Sequence, residues 1–124
     1  MAYQTVGASY VMNHLDVLPV VDVRPRSMFA QGHIPGAINI PFDEVQAAGE
    51  DDMAAHYGIA FDAAGIGKHD PAIVSCQAGM HAQMVCDMLD GLGFDGLKLY
   101  QGSWQDWASD PSRPVVVDQA VVEA

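Results

Sequence analysis

The sequence is poor in positive charge. Five lysines and arginines stand against sixteen acidic residues, a formal net charge of −11. Such a surface repels nucleic acid and anionic lipid, so neither is expected as a partner. Long apolar runs are missing, and no stretch is long enough to cross a bilayer. Met1-Ala2-Tyr3-Gln4-Thr5 has neither a basic nor an apolar stretch, which reads as no secretory signal and a cytoplasmic protein. Only two cysteines occur, Cys76 and Cys86, with no Cys-x-x-Cys pair and no Cys/His cluster of zinc spacing. The default in a cytosolic chain is two reduced thiols. No metal or organic cofactor is implied.

What is present suits a folded domain. The chain has 124 residues, half of them hydrophobic and 17% charged, enough for a core without disulfide staples. With no internal repeat and no linker, it reads as one domain over 1–124. Short strand-like runs alternate with helical stretches. Leu18 to Val23, Ala37 to Ile40, Ala72 to Ser75 and Leu97 to Tyr100 read as strands, with Gln4 to Val6 as a further edge strand. Helices are expected from an N-cap at Ser9 to Leu15, over Arg26 to Gln31, from Asp51 to Tyr57 with Gly58 as a stop, and over Ala82 to Leu92. In the last, Met84, Val85, Met88, Leu89 and Leu92 form the expected apolar face, with Cys86 at its flank. The alternation predicts an α/β domain with a mainly parallel sheet. Ligands in such sheets bind beyond the C-terminal strand ends. The Pro-bearing, Val-rich tail from Asp110 either packs on the body or swaps into a partner.

The segment from Ile73 to Ala82 carries the chemistry. A buried strand ends at Cys76, a short loop with Gly79 follows, and a helix begins. The first amides of a helix have no intrahelical partner, and with the helix dipole they favour an anion. Free thiols titrate near ~8.5, and such sites lower that to roughly 3.5–7.5. The same cradle suits a persulfide, whose outer sulfur is also anionic. A Cys76 thiolate takes sulfur from a donor and yields it to an acceptor, a covalent two-step route. The competing reading is an inert buried thiol, the ordinary state of a free cysteine. Cys86, more than a helical turn and a loop away, reads as a helix-flank thiol rather than a resolving partner.

Two motifs resemble the rhodanese family. One is Asp22-Val23-Arg24 with Gly32-His33-Ile34-Pro35-Gly36-Ala37-Ile38-Asn39-Ile40-Pro41. The other is the Cys76 loop followed by Leu99-Tyr100-Gln101-Gly102-Ser103-Trp104-Gln105-Asp106-Trp107. The second stretch, with Asp110 to Pro114, is similar to the C-terminal catalytic domain of tandem-domain thiosulfate and mercaptopyruvate sulfurtransferases. The resemblance implies a three-layer α/β fold, with a mainly parallel sheet of about five strands flanked by helices. It implies Cys76 as the sulfur-carrying nucleophile and Gln77, Ala78, Gly79, Met80 and His81 as the substrate cradle. Implied partners are a small sulfur donor, a thiol or cyanide acceptor, and a protein persulfide as an alternative donor, on a monomer or homodimer. A non-catalytic module for sulfur sensing or partner binding is the other functional reading.

Several residues keep two readings. Arg24 either holds a donor's sulfonate or carboxylate, or forms an internal ion pair with Asp22. His81 either supports the persulfide anion as a cation or holds the loop as a neutral donor. His33 reads as a turn cap, and Trp104 and Trp107 as packing residues, with the pocket mouth as Trp104's alternative. The loop from Cys76 to His81 has six residues and no arginine. Phosphatases and arsenate reductases of related fold use a loop one residue longer that ends in arginine, so sulfur chemistry is favoured over phosphorus. Met28 stands where many relatives have a charged residue, and weak thiosulfate activity is expected.

Overall fold

Five short segments pair side by side, all in the same direction. They are β1 (Gln4–Val6), β2 (Val20–Asp22), β3 (Ile38–Asn39), β4 (Ala72–Ser75) and β5 (Leu97–Tyr100). Their order across the sheet is β1-β5-β4-β2-β3, and every pairing is parallel. This computed structural model describes residues 3–118 of the chain. The central strands β2 and β4 are buried at every position, as a parallel sheet covered on both faces requires.

Helices cover the two faces. They are α1 (Ala8–Asn13), α2 (Arg26–Gln31), α3 (Phe42–Ala48), α4 (Met53–Ala63), α5 (Met80–Gly91) and α6 (Ser103–Trp107), with a 3-10 turn at Glu50–Asp52. The larger core gathers Phe42, Met53, Tyr57, Phe61, Val85 and Leu89 from α3, α4 and α5. The smaller one joins Val11, Ile34, Tyr100 and Trp107. This is the expected α/β architecture. Among the described residues no helix is long and apolar enough to cross a membrane.

The structure corrects four details. Helix α1 begins at Ala8 after Gly7, so Ser9 lies inside its first turn rather than capping it. Helix α4 continues past Tyr57, and Gly58 is interior. A Cβ there would meet Leu92 Cδ1 at 3.3 Å, so this glycine serves close packing of α4 on the end of α5. The buried stripe of α5 is Ala82, Val85, Cys86 and Leu89, the i, i+3, i+4, i+7 set. Met84 and Leu92 are exposed, and Cys86 lies in the core rather than on the flank. Finally, α3 and α6 were not expected.

The tail packs on the body as far as it is described. His33 and Val116 exchange backbone hydrogen bonds, each at 2.9 Å, and the Trp107 indole N–H donates to the Pro114 carbonyl. The remainder of the Val-rich tail, 119–124, lies outside the described residues, as do the first two positions of the expected 1–124 domain.

Candidate active site

The C-terminal ends of the three inner strands converge. Cys76 directly follows β4, Arg24 comes two residues after β2, and Ser103 comes three after β5. Those strands are adjacent in the sheet, so residues far apart in sequence meet around one thiol.

Cys76 is nearly buried yet lines a surface pocket of about 190 Å³ with Gln77, Ala78, Met80 and His81. The Gly79 amide donates to Cys76 Sγ at 3.0 Å. Helix α5 starts at the next residue, which brings its unpaired first amides to the loop. Gly79 is required twice over. Its φ is +101°, and a Cβ would meet the Gln101 carbonyl oxygen at 2.3 Å. Only glycine combines that backbone with that approach.

The carbonyl side of the loop is held by α6. The Trp104 amide donates to the Cys76 carbonyl and the Gln105 amide to the Gln77 carbonyl, both at 2.9 Å. The fully buried Ser103 hydroxyl accepts from the Cys76 amide at 3.0 Å and donates to the Tyr100 carbonyl at 2.9 Å. Its oxygen lies 3.8 Å from Cys76 Sγ. Ser103 has φ +57°, a left-handed backbone uncommon outside glycine and asparagine. This strain sits at a hydroxyl that touches both the backbone and the sulfur of the same cysteine.

Arg24 is 2% exposed. Its Nε and Nη2 donate to the Asp22 carboxylate, the shortest at 2.8 Å, and Nη2 also donates to the Gly32 carbonyl at 2.7 Å. Of its two readings, the ion pair is the one present. Asn39 ties the same region down, donating to the carbonyls of Asp22 and Arg24. The guanidinium lies 4.6 Å from the Trp104 ring centre. Trp104 therefore both packs and lines a hollow beside the cysteine pocket.

His81 does not hold the loop by a hydrogen bond in this geometry. Its exposed ring stacks flat on buried Phe42, with centroids 4.2 Å apart. His33 behaves as a turn cap: its Nδ1 hydrogen goes to the Phe29 carbonyl at 2.8 Å at the end of α2. Cys86 is in a contrasting setting. Burial, then the carboxylates of Asp87 and Asp90, push its thiol up to about 12. It stays protonated and unreactive near neutrality.

Sequence reasoning brought together Cys76 and its loop but missed Ser103, Gln101 and Phe42. Phe42 had a signal, because Pro41 before it and Asp43 and Glu44 after it mark a helix start. Gln101 and Ser103 stand inside the second of the two motifs, but their roles at the cysteine come from β5 lying beside β4.

The comparisons with known proteins bear on the family and the fold. The rhodanese-like domain model matches residues 8–110. The 3-mercaptopyruvate sulfurtransferase of Escherichia coli (strain K12) is 32% identical over 114 residues, covering 83% of this chain and 41% of that protein. The mouse thiosulfate sulfurtransferase/rhodanese-like domain-containing protein 3 is 32% identical over 100 residues, covering 80% and 62%. This chain thus spans less than two thirds of either relative. The solved structure of a human single-domain sulfurtransferase superimposes with a TM-score of 0.68 at 28% identity, covering 87% of this chain and 97% of that one. The strand order, the cysteine loop at the central strand end and the extent of the match place this chain in the rhodanese-like domain family.

Proposed function

We propose that this protein is a sulfurtransferase that carries sulfane sulfur as a Cys76 persulfide. The Cys76 thiolate attacks the outer sulfur of a donor of the thiosulfate or mercaptopyruvate type, or of a protein persulfide. The donor's bond to that sulfur breaks, and its electron pair leaves with the donor remnant. An acceptor thiolate or cyanide then takes the outer sulfur and restores the Cys76 thiolate. The observation that carries this reading is the Gly79 amide aimed at Cys76 Sγ at 3.0 Å, beside an open pocket. Gln77, Ala78, Gly79, Met80 and His81 form the cradle. Two unbridged thiols suit a reducing compartment such as the cytoplasm.

Thiosulfate is a poor donor in this reading. The cradle has no lysine or arginine, Arg24 is neutralised by Asp22, and Arg26 by Glu44 at 2.6 Å. A dianion approaching a chain of charge −11 meets loop amides and His81 with no uncompensated lysine or arginine beside them.

Intact mass after incubation with thiosulfate or mercaptopyruvate tests the proposal. The expected gain is about 32 Da, one sulfur atom, lost in Cys76→Ser and on adding cyanide. No gain with any donor, a protein persulfide included, leaves the partner-binding module as the better reading.

A further inference from the structure

A hollow of about 380 Å³ lies at the far end of α5 from the cysteine loop. Helix α5 begins at Met80, which lines the cysteine pocket, and its C-cap Leu92 lines this hollow. Twelve helical residues put about 18 Å between the two. One wall is α4, which presents Ala55, Gly58, Ile59 and Asp62, an i, i+3, i+4, i+7 set on one helix face. Leu92 and the buried Ile66 and Phe94 complete the apolar lining.

This face of α4 lies off its buried stripe of Met53, Tyr57 and Phe61. It is nonetheless apolar where a solvent-facing helix is ordinarily polar. Ile59 is 70% exposed and Leu92 38%. Pockets for small molecules hold roughly 300–1,000 Å³, with apolar walls and a few polar groups that fix orientation. The hollow has that size and that make-up.

Its polar groups are Asp62 and Lys68. Of the five lysines and arginines of the chain, Arg24, Arg26 and Arg113 are ion-paired, and Lys98 donates to the Gln4 carboxamide. Among the described residues, Lys68 is the one whose cation has neither kind of partner. Its base is anchored, because the Lys68 carbonyl accepts from the Asp95 amide at 2.9 Å. A Cβ on Gly93 would meet Lys68 Cδ at 3.9 Å, so the stem runs along the turn that carries Leu92 and Phe94. The acids next to it in the loops are engaged elsewhere. Asp70 accepts from the Gly67 amide at 2.7 Å, and Asp95 pairs with His69 at 2.9 Å. One ammonium beside the Asp62 carboxylate suits a monoanion and repels a polyanion, whether nucleotide or acidic peptide. A second copy of the chain is repelled too, since each carries −11.

We propose that this hollow binds a medium-chain acyl carboxylate, with the carboxylate at Lys68 and the chain along Ile59, Leu92 and Phe94. The site stands apart from Cys76, and the sulfurtransferase reading plays no part in it.

Octanoate is the probe, titrated into the intact protein while backbone amide signals are followed by NMR. The amides of Ile59, Gly67 and Leu92 are expected to shift, and those of Ala78 and Gly79 in the cysteine loop to stay. Octanoate should bind about fourfold or more tightly than hexanoate, because two further methylenes meet the apolar wall. Lys68→Gln should weaken it about twofold or more, the scale of an exposed ion pair, and Asp62→Asn should tighten it. Ala55→Trp fills the hollow from an exposed helix position and should weaken binding about tenfold or more. Ile59→Glu, also at an exposed position, sets a second negative charge in the hollow and should weaken it as well. The proposal is overturned by no shift at millimolar octanoate, by equal affinity for octan-1-ol, or by tighter binding of octylamine. Undiminished octanoate binding in folded Ala55→Trp or Ile59→Glu protein overturns it too, as do shifts confined to the cysteine loop.

Discussion

Replacing Gly79 by alanine tests the cradle at its tightest point. The backbone there has φ +101°, and the added Cβ would lie 2.3 Å from the Gln101 carbonyl oxygen. A side chain at that φ costs about 1–3 kcal/mol. The overlap is with backbone that is itself anchored, since Ser103 and Trp104 just beyond it are bonded to Cys76. The loop must move, and the Gly79 amide then leaves Sγ, from which it now lies 3.0 Å away. A hydrogen bond to a charged group contributes roughly 1.5–3 kcal/mol, which corresponds to a rate change of about ten- to a hundredfold. The assay is the rate of iodoacetamide alkylation at Cys76 at pH 7, read by peptide mass spectrometry, beside urea unfolding of the same sample. Gly79→Ala is expected to lose at least about 1 kcal/mol of stability and to alkylate about ten- to a hundredfold more slowly. A folded Gly79→Ala protein with parental alkylation and persulfide loading would refute the cradle as the source of reactivity.

Three further outcomes follow from the same geometry. Arg24→Leu leaves the Asp22 carboxylate buried without its cation, and should cost about 3–5 kcal/mol in urea unfolding. Ser103→Ala should destabilise by about 1–3 kcal/mol, and Ser103→Gly by less, because glycine relieves the φ of +57° while losing the same hydroxyl. Stability should fall as pH rises from about 9 towards 12. Cys86 is held neutral with its thiol at about 12, and burial raises Tyr57 and Tyr100 in the same direction. The unfolded chain releases those protons first, so it gains with rising pH, and a series of urea midpoints over that window measures it.

Much of this was legible from local pattern. The short strand-like runs located all five strands, and the strand, cysteine, glycine and helix sequence located the thiol and its loop. What stayed hidden needed three dimensions. Gly58 reads as a stop because glycine commonly ends helices, but its use here is to let α4 approach Leu92. The apolar face of α5 was drawn through Met84 and Leu92, but counting Cys86 as a core residue turns the face to Ala82, Val85, Cys86 and Leu89. Arg24 offered two readings that sequence alone could not separate, since its neighbour Asp22 and a bound donor present the same carboxylate chemistry. Ser103 stands in the second motif, but its role is not readable there because its hydroxyl reaches Cys76 only once β5 lies against β4.

The grip of α6 on the cysteine loop also sets an order of assembly. The amides that hold the carbonyls of Cys76 and Gln77 belong to Trp104 and Gln105, and are made more than two dozen residues after the thiol itself. A growing chain can pair β2 with β4 before those residues exist, but Cys76 then lacks the brace that orients it. The setting of the thiol is thus completed late in synthesis, and a chain cut short before residue 103 would carry Cys76 in an unfinished one.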